Sequence, residues 1–221
     1  MIEILFEDKS ILVINKPAGL NSLADGYDPL LTYVHSILEP QYGRLWVVHR
    51  LDKETSGIMV LARSVEAHRN LNTQFTDRKI QKTYYALVFG DFPETVRCRL
   101  PLRINGDLRH RTVVDEQAGK PASTDFILIE SYPRHCSLIT ASPHTGYTHQ
   151  IRSHLLNQKF PILCDPLYYS KESQEFSADL ILNRTALHSR SITLSHPIEN
   201  QLLTFSTDLP EDFLQTIEFL K

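Results

Sequence analysis

A carboxylate between two cations is the first feature of this sequence that could do chemistry. Asp52 is flanked by Arg50 and Lys53 in a short polar break between two apolar runs. Nearby positive charge favours the ionised form of a carboxylate, and an ionised carboxylate can act as a nucleophile. The position therefore predicts a charged nucleophile in a turn.

Apolar runs on both sides of the break predict the strands that hold this carboxylate. Val47 and Val48 precede the break, and the run Ile58–Ala62 follows it. Short apolar runs bounded by polar residues are typical of buried strands. Gly57 permits a tight backbone, so we expect Asp52 to lie in a turn at the edge of a sheet.

The rest of the chain alternates between strand-like and helix-like patterns. Period-two or continuous apolar runs predict strands at Ile2–Glu7, Ile11–Lys16, Gln81–Phe89, Asp125–Ser131, Cys136–Ala141, Ile192–Leu194 and Leu202–Phe205. Helical spacing predicts helices over Pro29–Glu39, Val65–Asp77, Thr148–Asn157 and Pro210–Leu220, with Asp28, Ser64 and Thr148 as the expected N-caps of the first three.

Length and composition bound the class of protein. The chain has 221 residues, 42% apolar and 22% charged, which fits one globular domain over residues 1–221. No apolar run is long enough to span a bilayer, and the acidic N-terminus is not a secretory signal. Three scattered cysteines indicate a reducing compartment. His149 and His154 lie five residues apart, on different faces of a helix, so we expect no metal site.

Charge is unevenly distributed along the chain. The net charge is −3, yet residues 44–82 hold eight Lys or Arg against four Asp or Glu. Such a basic segment favours an RNA-facing surface, although a solvated helix face would look the same. The charged segment Arg97–Lys120 also has two interpretations. It is either a loop that contacts phosphate or a loop that faces solvent.

Two motifs carry a resemblance to a known family. His49-Arg50-Leu51-Asp52 followed by Thr55-Ser56-Gly57 resembles the RluA-type pseudouridine synthases. The segment His149-Gln150-Ile151-Arg152 resembles the second motif of that family, with Tyr147 where the family has an arginine. Weaker matches cover most of the chain from Ile2 to Phe205, namely Lys16-Pro17-Ala18-Gly19, Lys82-Thr83-Tyr84-Tyr85-Ala86 and Ile162-Leu163-Cys164-Asp165, in which Cys164 replaces the usual glycine.

The resemblance implies a fold and a set of site residues. The fold is α+β, a mixed and mainly antiparallel central sheet with flanking helices and a central cleft. Asp52 is the implied nucleophile, Arg152 its ion-pair partner, and Tyr84 the residue that handles a proton or stacks on the base. Arg50 is implied to fill the space of a base that has left its stack. Implied substrate-binding residues are Lys16, Arg50, His149, Gln150 and Ile151.

The implied activity is isomerisation of uridine in structured ribosomal or transfer RNA, with base flipping and without a cofactor. Asp52 would attack C1′ or assist elimination at C2′. We expect a cytoplasmic monomer of the short type, without the N-terminal RNA-binding module and without membrane contact. One alternative is an inactive RNA-binding protein on the same scaffold, which would have a broken Asp or Tyr motif. Another is an aspartyl-phosphate enzyme, which Asp52-Lys53-Glu54-Thr55 faintly resembles.

Overall fold

The computed structural model describes residues 2–24, 28 and 31–221. In chain order its elements are β1 (Glu3–Glu7), β2 (Ile11–Lys16), α1 (Val34–Tyr42), β3 (Trp46–Val47), β4 (Ser56–Ala62), α2 (Val65–Thr76), β5 (Gln81–Phe89), β6 (Thr95–Cys98), β7 (Leu102–Arg103), β8 (Val113–Val114), β9 (Thr124–Tyr132), β10 (Cys136–Pro143), α3 (Gln150–Asn157), α4 (Lys171–Ser177), β11 (Leu187–Ser195), β12 (Leu202–Ser206) and α5 (Glu211–Leu220).

The chain divides into two compact units. The first comprises residues 1–82 and 189–208, and the second comprises residues 83–188 and 209–221. The first unit therefore carries the Asp52 segment, and the second carries the Arg152 segment. One catalytic domain over residues 1–221 stays a prediction, as does the central cleft.

The first unit is built around two apolar strands. β2 pairs antiparallel with β1 and with β4, in a register that sets Lys16 opposite Gly57 and Ile11 opposite Ala62. All seven residues of β4 are buried. Ala67 and Leu71 of α2 pack on these strands, together with Ile192 and Leu194 of β11. From Ile58 to Ala62 the strand is continuously apolar, as is typical of a strand that is covered on both faces.

The second unit holds antiparallel strands in the order β5-β10-β9-β6. The segment Arg97–Lys120 contributes the small two-stranded sheet of β7 and β8. The same unit contains α3, α4 and α5. The predicted α+β class, with a mainly antiparallel sheet and flanking helices, is confirmed.

The predicted start is correct for α2 and wrong for α1. α2 begins as expected, because Ser64 caps it by accepting a hydrogen bond from the Ala67 N–H at 3.1 Å. The first predicted helix instead begins at Val34, with Tyr33 as its N-cap. Asp28 is therefore not its cap, and Pro29 lies outside the described residues. None of the helices in the described part of the chain is long and apolar enough to cross a membrane.

The backbone at Gly57 lies close to a strand that is distant in sequence. Its φ is +110°, and a Cβ there would lie 2.3 Å from the Ser189 carbonyl oxygen. Ser189 belongs to β11, so the close approach is between the backbones of neighbouring strands. The prediction of a tight backbone at this residue is confirmed, and any larger side chain would force β4 away from Ser189.

Candidate active site

Asp52 lies in a tight turn between β3 and β4, as predicted. The Thr55 N–H donates to the Asp52 carbonyl oxygen at 3.0 Å. Leu51 and Thr55 are buried on either side of the turn, whereas the Asp52 side chain is half-buried and Arg50 and Lys53 are exposed. The carboxylate thus stands at the surface of a loop whose two ends are anchored in the interior.

Ser22 forms two hydrogen bonds with the backbone of Leu51, the residue immediately before Asp52. Its hydroxyl donates to the Leu51 carbonyl at 2.7 Å and accepts from the Leu51 N–H at 3.1 Å. Ser22 is only 5% exposed, so these bonds are made away from water. One side chain therefore satisfies both backbone groups of the residue that precedes the carboxylate. No motif in the sequence indicated this role for Ser22.

Lys16 lies beneath the same turn. Its ammonium donates to the carbonyl oxygens of Pro17 at 2.9 Å, Leu20 at 2.8 Å and Lys53 at 3.2 Å. The Lys53 carbonyl also accepts from the Gly19 N–H at 2.8 Å. Lys16 has no exposed surface. The substrate contact expected of Lys16 is thus not available in this conformation, because the ammonium is buried against carbonyls of the turn.

His49 closes the other side of the Asp52 segment. Its Nε2 accepts from the Val60 N–H of β4 at 2.9 Å, and its ring stacks on Phe75 at 4.8 Å between centroids. Burial, with a smaller effect of the Lys82 charge, lowers the pKa of His49 to about 3. The imidazole is therefore neutral at pH 7. It takes the place of a strand partner, since β3 ends at Val47, which pairs with Leu61.

Gln150 of α3 is saturated with internal hydrogen bonds. Its amide nitrogen donates to the Ser123 carbonyl and to the Thr124 hydroxyl, both at 3.0 Å. Its oxygen accepts from the Thr145 hydroxyl at 2.7 Å and from the Tyr147 N–H at 3.2 Å. An amide has two donors and two acceptor sites. The substrate contact predicted for Gln150 would require one of these buried bonds to break.

His149 precedes α3 in the left-handed conformation. Its φ is +55°, it is the N-cap residue in place of the predicted Thr148, and it makes no side-chain cap. Its Nδ1 lies 3.1 Å from the Tyr168 hydroxyl, which also accepts from the Thr112 N–H at 2.7 Å. Ile151, the next predicted substrate residue, is 7% exposed.

Arg152 forms a buried pair that sequence analysis did not identify. Its Nε and Nη2 donate to the two carboxylate oxygens of Asp165 at 2.7 and 2.8 Å. Asp165 also accepts from the N–H groups of Leu167 and Tyr168 at 2.9 and 3.0 Å. The guanidinium carbon lies 4.9 Å from the centroid of the Tyr168 ring. Two planar contacts thus fix the orientation of the guanidinium.

The remaining predicted residues lie on regular elements or next to the turn. Tyr84 of β5 is 9% exposed and opposite Ala141 of β10, whereas Tyr85 is half-buried and opposite Thr140. Arg50, Asp52 and Lys16 belong to the first unit, and the other predicted site residues belong to the second. The pairing of Asp52 with Arg152 therefore stays a prediction. Within the described ranges, no cluster of three His, Cys, Asp or Glu side chains could hold a metal.

Comparisons with known proteins agree on one family. The family model described as RNA pseudouridylate synthase matches residues 10–157. The ribosomal large subunit pseudouridine synthase D of Nitrosomonas europaea is 35% identical over 231 residues, covering 100% of this chain and 65% of that protein. The dual-specificity RNA pseudouridine synthase RluA of Escherichia coli is 34% identical over 211 residues, covering 95% and 93%. This chain thus spans somewhat less than two thirds of the first relative.

Solved structures give the same fold. Human RNA pseudouridylate synthase domain containing 1 superposes with a TM-score of 0.80 at 22% identity, over 95% of this chain and 84% of that one. Human RNA pseudouridylate synthase domain containing 4 superposes with a TM-score of 0.78 at 25% identity, over 99% and 92%.

Proposed function

The chain belongs to the RNA pseudouridylate synthase family, and from this premise we propose that it isomerises specific uridines in structured ribosomal RNA, transfer RNA or both. The observation that carries the proposal is the Asp52 turn. Its carboxylate is half-buried at the surface, whereas Ser22 and Lys16 bind the carbonyl groups of Leu51 and Lys53 on either side of it. The Nitrosomonas europaea relative is named for the large ribosomal subunit and the Escherichia coli relative is named a dual-specificity RNA pseudouridine synthase, and these names support RNA as the substrate.

The reaction needs a carboxylate near a sugar, as in glycoside chemistry. The C1′–N1 bond of uridine breaks, the uracil rotates, and a C5–C1′ bond forms. The proton on C5 is lost and N1 gains one, so the reaction is an isomerisation with no redox step. Asp52 serves as the nucleophile. A paired or stacked uridine must leave its stack before the carboxylate can reach it, and Arg50 occupies the space that the base leaves.

Arg152 is the proposed partner of Asp52. The family motif requires an arginine that keeps the catalytic carboxylate charged and oriented. Nε and Nη2 of Arg152 each donate one hydrogen bond to Asp165, and the guanidinium has further N–H donors for the proposed pairing with Asp52. Asp165 is thus a positioning residue for Arg152.

The other predicted site residues divide into those that contact the substrate and those that support the two motifs. Tyr84 handles a proton or stacks on the flipped base. His149, half-buried beside Tyr168, retains its proposed contact with substrate. Lys16, Gln150 and Ile151 are reassigned to holding the two motifs in shape, because their side chains are buried and the polar groups of Lys16 and Gln150 bind other parts of the chain.

We also propose a cytoplasmic monomer. All three cysteines are free thiols, which supports a reducing compartment. Light scattering on the purified chain tests the oligomeric state.

The test of the proposed function is a map of pseudouridines in total RNA from cells with and without the gene. We expect one or a few sites in ribosomal or transfer RNA to disappear, and to return when the wild-type gene is restored. An inactive RNA-binding protein or an aspartyl-phosphate enzyme would leave the map unchanged, and that result would refute the proposal.

A further inference from the structure

A hollow on the first unit is not used by the proposed chemistry. It has a volume of about 680 Å³ and lies between the turn of the β1–β2 hairpin and the segment that joins α1 to β3. Lys9 borders it from the hairpin, and Tyr42, Arg44 and Trp46 border it from the other side. The volume is within the range of small-molecule sites, roughly 300–1,000 Å³.

Two arginine side chains at this hollow lie over aromatic rings. The guanidinium carbon of Arg44 lies 4.9 Å from the centroid of the Trp46 ring, and that of Arg63 lies 5.8 Å from the Tyr42 ring. A guanidinium held in this way offers a flat face for stacking and an edge of N–H donors. The hollow therefore presents planar surfaces and positive charge together.

The acidic groups at the rim are already engaged. Glu7 pairs with Arg63 at 2.7 Å, and Arg63 also donates to the Asp8 carbonyl. The Asp8 carboxylate accepts from the N–H groups of Ser10 and Ile11, both at 2.7 Å. Its other oxygen lies 2.9 Å from the His196 ring. Glu7 is thus paired with a cation, and the Asp8 carboxylate is held by hydrogen bonds within the fold.

Lys9 and Arg44 supply the remaining charge. Both side chains are exposed, and neither forms an ion pair with any residue in the part of the chain that the structure describes. They lie on opposite sides of the hollow, one on the hairpin turn and one before β3. An anionic ligand that also has a planar ring would meet both kinds of contact.

We propose that this hollow binds one unstacked nucleotide of the substrate RNA, outside the target uridine. The Trp46 ring lies between the Arg44 guanidinium and the His68 ring, so the base stacks on the Arg44 guanidinium, and the adjoining phosphates contact Lys9 and Arg44. The inference rests on the proposed function, because it takes the ligand to be RNA. Trp46 is opposite Ala62, at the end of β4 away from the Asp52 turn. The strand length between them, about 20 Å, corresponds to a few nucleotides of flanking RNA.

Trp46 is the only tryptophan in the chain, so its fluorescence reports on this hollow alone. A short single-stranded RNA of mixed sequence, added to the full chain, should quench the emission in a saturable way. Changing Lys9 and Arg44 together to glutamine should weaken this binding about tenfold. The slope of log affinity against log salt should also become shallower by about 0.7 for each phosphate that the variant no longer neutralises.

A matched control removes the same charge elsewhere on this unit. Arg78 and Lys79 are exposed just beyond the far end of α2, and changing both to glutamine should leave quenching unchanged. Equal binding by the two double variants would overturn the proposal, as would the lack of any saturable change in Trp46 emission.

Failure of this proposal differs from failure of the proposed function. If only the nucleotide site is wrong, the Lys9→Gln/Arg44→Gln variant keeps a wild-type KM for pseudouridine formation. If the site exists, that variant raises KM and leaves kcat unchanged. If the proposed function is wrong, the wild-type chain forms no pseudouridine in any RNA.

Discussion

Replacing Ser22 by alanine tests how firmly the catalytic turn is held. The change removes one hydroxyl and no other atom, yet both the N–H and the carbonyl of Leu51 lose their partner. Ser22 and Leu51 are each 5% exposed, so water is poorly placed to replace the hydroxyl. The backbone just before Asp52 would then either keep two unsatisfied groups or shift to satisfy them.

The expected magnitude follows from these two bonds. A buried polar group left without a partner costs about 1–3 kcal/mol, so Ser22→Ala should lower the free energy of unfolding by about 2 kcal/mol or more. The typical total for a domain is about 5–15 kcal/mol, so the variant should still fold. A displacement of Asp52 by about 1 Å should lower kcat by roughly a hundredfold. Urea denaturation and single-turnover pseudouridine formation measure the two effects.

Ser36 provides a matched control within the same unit. Its hydroxyl also forms two hydrogen bonds with the backbone of one residue, donating to the Tyr33 carbonyl at 2.8 Å and accepting from the Tyr33 N–H at 3.0 Å. Unlike Ser22, however, Ser36 is exposed. Water can replace this hydroxyl, so Ser36→Ala should cost less than about 1 kcal/mol and leave kcat unchanged. Equal losses of stability and equal rates for the two variants would refute the reasoning.

Three further predictions concern other parts of the site. Asp165→Asn should lower the free energy of unfolding by about 3–5 kcal/mol in urea, because it removes the charge that balances buried Arg152, and an unchanged midpoint would contradict a buried pair. Tyr84→Phe should lower the rate of pseudouridine formation more than Tyr85→Phe, and the reverse order would mean that the other face of β5 is catalytic. The pKa of His49 is lowered to about 3 from 6.5, so the unfolded chain binds the extra proton between these values and stability falls as pH falls through them. His49→Gln should reduce the slope of unfolding free energy against pH there by up to about 1.4 kcal/mol per pH unit, and an unaltered slope would exclude a neutral His49 imidazole in the folded chain.

Much of the fold was predictable because the strands are strongly patterned. β5 was predicted with its observed bounds because it is rich in aromatic and apolar residues and is followed by Gly90, and β4 was predicted with the observed end at Ala62 because its apolar run ends there. Helix starts were less predictable. α3 begins one residue after His149 because that residue is left-handed, and nothing in Thr148-His149 announces a positive φ. Cys164 also has a positive φ, +57°, where the family's usual glycine is a clue that the motif did contain.

The two site motifs could be predicted from the sequence, but the residues that hydrogen-bond to them could not. Asp52 and Arg152 stand out because each lies in a short segment with several family residues. Ser22 is 29 positions from Leu51, and a serine in a loop has no pattern that would indicate such a contact. Asp165 had a faint signal, an aspartate followed by proline in a matched motif. Choice of partner between distant segments depends on packing, which local sequence does not encode.

The most direct test of the central claim is pseudouridine formation by the purified Asp52→Asn variant, measured by mass spectrometry of RNA from cells lacking the gene. The substitution keeps the size of the side chain and removes its negative charge. We expect the wild-type chain to form pseudouridine, and the variant to form none while it keeps wild-type stability in urea and wild-type affinity for the RNA. Turnover retained by the folded variant would contradict the role of Asp52 as the nucleophile.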